Sequence, residues 1–266
     1  SPLLHLTGRR PHALRLATSE VWGPDETVVV EQLVVPEGLS LTLLRNTQVV
    51  MAPRASILVR GLLNVLGESG APVSILPCPV RHPSLVKRAA WGEVSVEPGG
   101  AAVLLHAHLS GGGGSADDGD AWGHSSSRPA LRANGSVLTA SHSLITDGPG
   151  KAVGAERSRV RLDDVLIARV DVGGEFHRSC VAVRHCHVSQ IPFRGTGAAP
   201  AGGTELPDAV DDSDGFYFRE SLPAQGSCFA SHVEDTTIAD GADDALDHCG
   251  GSLRVARVHL RGWQHE

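Results

Sequence analysis

Eight ionisable residues near the end of the chain set the chemical question: Asp212, Asp214, Asp243, Asp244 and Asp247, with His248, His265 and Glu266. Carboxylates gathered this densely cannot all ionise cheaply. Either some stay protonated, which places an acid beside a base, or a cation sits among them. The first outcome is what cleavage of a glycosidic bond needs, one carboxylic acid to protonate the leaving oxygen and one carboxylate to activate water. The second is a Ca2+ site built from hard oxygen ligands, with no other cofactor required. A third reading is a set of exposed turns in which Asp and Gly serve turn geometry and solubility.

What must position these groups is a repeat. Val137-x-Thr139-x-x-His142-x-Leu144 returns as Val160-x-Leu162-x-x-Val165-x-Ile167 and as Val181-x-Val183-x-x-Cys186-x-Val188. It returns again as Ser231-x-Val233-x-x-Thr236-x-Ile238 and as Leu253-x-Val255-x-x-Val258-x-Leu260, at steps of 23, 21, 50 and 22 residues. These positions are expected to point inward, because short β-rich units at this period form solenoids whose coils stack side chain on side chain. An earlier repeat matches Val28-Val29-Val30-x-x-Leu33 to Ile57-Leu58-Val59-x-x-Leu62 at an offset of 29. The expected fold is all-β, a parallel β-helix with coils of about 21–29 residues over 27–266. Residues 1–26 read as an irregular lead-in or cap, and the chain is expected to continue past Glu266.

Polar or Gly/Pro-rich stretches at 110–128 and 192–213 read as long loops. The second falls in the 50-residue step, which either hides a degenerate extra coil or, as its Gly/Pro/Ala-rich composition favours, is one coil carrying about 28 inserted residues. Insertions in solenoids map to loops on one face, often the functional one. Following the register past the last ladder residue places Lys151, Asp244 and Glu266 at comparable turns, with Asp214 joining them after the insertion. Asp214-Gly215-Phe216 and Asp244-Ala245-Leu246 should then stack on neighbouring coils, about 4.8 Å apart.

Composition narrows the classes. Hydrophobic residues make up 41% of the 266-residue chain but aromatic residues only 4%, which suits a thin core of aliphatic ladders. A net charge of −7 argues against a nucleic-acid partner. No apolar run approaches the length of a membrane-spanning helix. A monomer, or one part of a larger multidomain chain, is expected. Five cysteines form no disulfide framework, although Cys228 and Cys249 lie 21 residues apart and could meet on adjacent coils. His177, Cys180, His185, Cys186 and His187 invite a zinc reading, but their spacing matches no standard zinc signature. His142, in an inward column, reads as a satisfied core histidine.

The residues from 212 to 266 resemble right-handed parallel β-helix proteins of the pectate-lyase-like superfamily, and among them polygalacturonase-like glycoside hydrolases. Those carry Asn-Thr-Asp-Gly, then Asp-Asp, then Gly-His-Gly on successive coils. This chain reads Asp212-Ser213-Asp214-Gly215, Gly241-Ala242-Asp243-Asp244-Ala245 and Trp263-Gln264-His265-Glu266. The resemblance implies an extracellular or surface protein that engages polysaccharide. It makes Asp243 the general acid, Asp214 and Asp244 the groups that polarise water, and His265 their support. Asp212, Asp247, His248 and Glu266 would then line the substrate site. The chain departs from the pattern in its 30-residue step from Asp214 to Asp244, and its His265 lacks flanking glycines. From another class, a non-catalytic structural or adhesive module would use the same acidic turns for calcium or leave them solvated.

Overall fold

The computed structural model describes residues 12–79, 90–114, 123, 127–191, 213–222 and 228–263, and among these every regular element is a β-strand. The strands belong to one 23-stranded sheet in which the named strands pair in parallel. Among the described residues no helix makes a crossover, an arrangement consistent with a β-solenoid. The register resolves it into three ladders. The first runs from residues 27–30 through 48–51, Val73–Pro77, Ala107–Ser110, 143–146, 165–168, His187–Ser189 and Thr237–Ala239 to His259–Arg261. The second runs from His12–Arg15 through 32–35, 56–59, Val94–Val96, Pro129–Asn134, Lys151–Glu156, Gly174–His177 and Phe216–Ser221 to Leu246–Gly251. The third runs from Glu20–Trp22 through Ser40–Leu44, Leu62–Leu66, Ala101–Leu105, 137–141, 159–163, Cys180–Arg184 and Ser231–Glu234 to Leu253–Ala256.

Stacked aliphatic columns fill the interior. In the first ladder Val49, Ile75, Leu109, Ile145, Ile167, Val188 and Ile238 lie in register and are buried. In the second ladder Gly174 breaks the aliphatic column to make room for rings. A Cβ there would lie 2.6 Å from Phe176 Cζ, and Phe176 packs against Phe216 and Phe218 at centroid distances of 6.0 and 5.1 Å.

The expected repeat keeps register in its later copies and is buried in the second to fourth, but Val255 and Leu260 of the last are 47% and 50% exposed, and the first copy slips by one residue. Leu138, Ala140 and Ile145 pair with Val160, Leu162 and Ile167 and are buried, whereas Leu144 is 41% exposed. The inward pattern there is Leu138-x-Ala140-x-x-Ser143-x-Ile145, 22 residues ahead of the next copy. His142 is therefore exposed, contrary to the inward expectation. A one-residue shift exchanges the two faces of a strand. The N-terminal offset of 29 also joined different ladders: Val28 pairs with Val49, and Leu33 with Ile57. Ladder pairing starts at His12, inside the segment expected to be a lead-in.

Many of the described corners carry a residue in the left-handed conformation. Between the third and first ladders these include His106, His142, Asp164, His185, Asp235 and Arg257, with φ between 47° and 54°. Their side chains meet across coils. The rings of His106 and His142 stack at 5.0 Å, His142 Nδ1 lies 2.6 Å from Asp164 Oδ2, and Arg257 donates twice to Asp235. Such exposed contacts fix register more than they add stability.

Candidate acidic site

The acidic residues converge at the corner that leads into the second ladder. Phe216 pairs with Leu246, so Asp214 and Asp244, each two residues earlier, occupy the same corner position on adjacent coils. Backbone bonds fix the stack: Gly215 N–H donates to the Asp244 carbonyl at 2.8 Å, and Gly173 N–H to the Asp214 carbonyl at 3.1 Å. Gly215 is required by this approach, since a Cβ would lie 2.4 Å from the Ala245 carbonyl oxygen and 2.5 Å from Ile238 Cγ2. The 30-residue step from Asp214 to Asp244 is thus one coil after all. Ser221 pairs with Gly251 at the same step of 30, whereas Ser231 pairs with Leu253 at 22, so the surplus residues fall between 221 and 231. The 50-residue step holds no hidden coil, because Ala182 pairs directly with His232.

One carboxylate oxygen from each of Asp214, Asp243 and Asp244 lies within 4.8 Å of the others. Asp214 is 2% exposed and Asp243 4%, while Asp244 is half-buried. Two of the three are therefore not solvated turn residues. An ion bound at about 2.3–2.6 Å to each oxygen spans ligands up to about 5 Å apart, so the three oxygens fit a single calcium ion. The separation is tighter than the roughly 6.5–9.5 Å that leaves a water between the carboxyls of an inverting pair.

The other expected site residues lie elsewhere. Asp247 pairs with the outward-facing Tyr217 and His248 with the inward-facing Phe218, so both run along the strand away from the corner. Asp212, His265 and Glu266 fall outside the described residues, as do 192–212 and most of 115–126 in the two expected loops.

The expected zinc candidates do not converge. Cys180 forms a disulfide with Cys228, with Cα atoms 5.6 Å apart, and Cys249 is an exposed free thiol. That pairing replaces the bridge considered between Cys228 and Cys249. Cys186 is inward, and burial pushes its thiol up to about 12. His185 stands at a corner with Nδ1 2.9 Å from Asp163 Oδ1, while His187 begins the next strand in a different ladder.

The sequence register placed Lys151 at this turn, but not its burial or its partner. Ala152 N–H bonds the Val172 carbonyl, so the preceding Lys151 shares the corner column that descends through Val172 to Asp214. Lys151 is fully buried, with Nζ 2.8 Å from Glu175 Oε2 and donating to the Ser127 carbonyl at 2.9 Å. Glu175 Oε1 lies 2.6 Å from His177 Nε2. The available signal was Glu175 itself, a lone acid between Gly174 and Phe176, one coil after Lys151.

Comparisons of the chain with protein-family models, with curated proteins and with solved structures found no match in any of the three. No helix among the described residues is long and apolar enough to cross a membrane.

Proposed function

We propose that this protein is an extracellular or surface right-handed parallel β-helix, of the pectate-lyase-like kind, that engages polysaccharide at the Asp214–Asp243–Asp244 corner, with calcium held among the three carboxylates. The observation that carries this reading is the gathering of three carboxylate oxygens within 4.8 Å, two of them on buried residues. Like charges at this separation repel, and a cation or a proton among them relieves that repulsion. Calcium supplies the former and keeps coordination positions for sugar oxygens. The right-handed winding follows the strong preference of parallel crossover connections. The glycan partner rests on the resemblance over 212–266, strengthened because its 30-residue departure closes in register. The Cys180–Cys228 disulfide supports an oxidising compartment.

Glycoside hydrolysis is the second reading. It has in its favour the unequal exposure of the three groups, with Asp243 the more buried and Asp244 the more accessible, and against it the tight spacing of the carboxylates. The test is a panel of neutral and acidic glycans offered to the whole protein in calcium or in EDTA, reading retention and new reducing ends. Calcium-dependent retention without new reducing ends is expected. Reducing ends that persist in EDTA and vanish in Asp243→Asn establish the hydrolase instead. No retention and no cleavage on any glycan overturns both.

A further inference from the structure

The outward face of the third ladder carries cations that the fold does not use. Arg159 and Arg161 are exposed, and neither makes an ion pair among the described residues. Alternate residues of a strand share a face, so the two guanidinium groups rise from Cα positions about 6.6 Å apart. Arg161 pairs with Ala182, which pairs with His232, which pairs with Arg254. The small Ala182 leaves a trough between the longer side chains on either side.

An aromatic wall closes this trough. The disulfide ties Cys228 to Cys180 at the start of the neighbouring strand, and the next residue, Phe229, then lies over the face. Its ring centroid is 5.0 Å from Arg161 Cζ and 6.1 Å from the His232 ring. Two depressions result. One of about 190 Å³ is lined by Arg161, Asp163, Ala182, Arg184, Phe229 and His232, the Asp163 carboxylate lying 2.9 Å from His185 Nδ1. The other, of about 440 Å³, is lined by Arg159, the disulfide and Leu222. His232 is oriented in the smaller one, its Nε2 accepting from Arg184 Nε at 3.1 Å and its Nδ1 facing the Ala230 carbonyl at 2.9 Å.

We propose that this trough is a second binding surface, and that it takes an acidic polysaccharide whose carboxylate or sulfate groups meet Arg159 and Arg161 while a sugar ring lies against Phe229. On a chain of net charge −7, two neighbouring arginines with no carboxylate partner among the described residues complement a polyanion. The phenyl face supplies what a bare charge patch lacks, an apolar platform that distinguishes a ring-bearing ligand. The surface lies on a different ladder from the acidic corner and does not depend on it.

The test measures retention of the whole protein by polygalacturonate, heparin, neutral dextran and duplex DNA. Binding to one or both acidic glycans is expected, weakening with salt. Arg159→Gln with Arg161→Gln should weaken it about tenfold with an unchanged melting midpoint, because both side chains are exposed. Phe229→Ala should weaken it while leaving the charge intact, and retention should persist in EDTA, which separates this surface from a calcium-dependent one. Whether polygalacturonate or heparin binds more tightly separates the carboxylate source from the sulfate source. Equal retention by dextran, equal retention by DNA, an unchanged arginine double variant, or loss of retention in EDTA would each overturn the proposal.

Discussion

Replacing Lys151 by methionine tests whether the buried charges hold the corner that carries the site. Lys151 and Glu175 have side chains 0% and 1% exposed, with 2.8 Å between Nζ and Oε2. Lys151→Met keeps most of the volume but leaves the Glu175 carboxylate buried without this cation. Breaking a buried pair from one side costs about 3–5 kcal/mol, most of it the desolvation of the stranded charge. For a chain of this size, that lowers the thermal midpoint by about 10 °C. Circular dichroism melting of wild type, Lys151→Met and Lys151→Met with Glu175→Gln gives the answer. The double variant buries neither charge, so it should recover at least half of the loss. A single-variant loss below about 1 kcal/mol would refute the reasoning. So would a double variant no more stable than the single one.

Gly174→Ala should destabilise by about 1–3 kcal/mol in denaturant titration, because its Cβ would press to 2.6 Å on Phe176 and 3.0 Å on Phe216. In native protein at mildly alkaline pH, iodoacetamide followed by mass spectrometry should label exposed Cys249 and spare Cys186, whose buried thiol is pushed up to about 12. The hydrogen bond to Asp163 raises the pKa of His185 above its ordinary value. That contact therefore stabilises fully below about pH 6.5 and is lost as pH rises through the raised value. The melting difference between wild type and His185→Gln should be larger at about pH 5.5 than at about pH 8.5, and the reverse order would contradict the assignment.

The stack of parallel strands, consistent with a β-solenoid, was legible because Val, Ile and Leu recur at inward positions of its three ladders, and that same sameness produced the errors. Val137 and Leu138 are both apolar, as are Leu144 and Ile145, so either phase satisfies the pattern. What decides it is Ser143, a polar residue that the inward phase tolerates. Its hydroxyl accepts from Ala107 N–H and donates to the Ser141 carbonyl. The N-terminal offset failed for a related reason, since apolar runs from the second ladder resemble those from the first. The acidic corner was found because Asp-Gly and Asp-Ala turns keep register with the ladders. The buried Lys151–Glu175 pair was not, since nothing local distinguishes an ion pair formed between residues 24 positions apart. The Cys180–Cys228 bridge was hidden by the insertions, which shift Cys228 out of the regular 21–22-residue step.

Calorimetric titration of calcium into the whole protein, wild type against Asp214→Asn with Asp243→Asn, tests the central claim most directly. One ion per chain should bind the wild type and raise its melting midpoint, and the double variant should neither bind nor respond. An absence of calcium binding by the wild type, or equal binding by both proteins, would contradict a cation site at this corner.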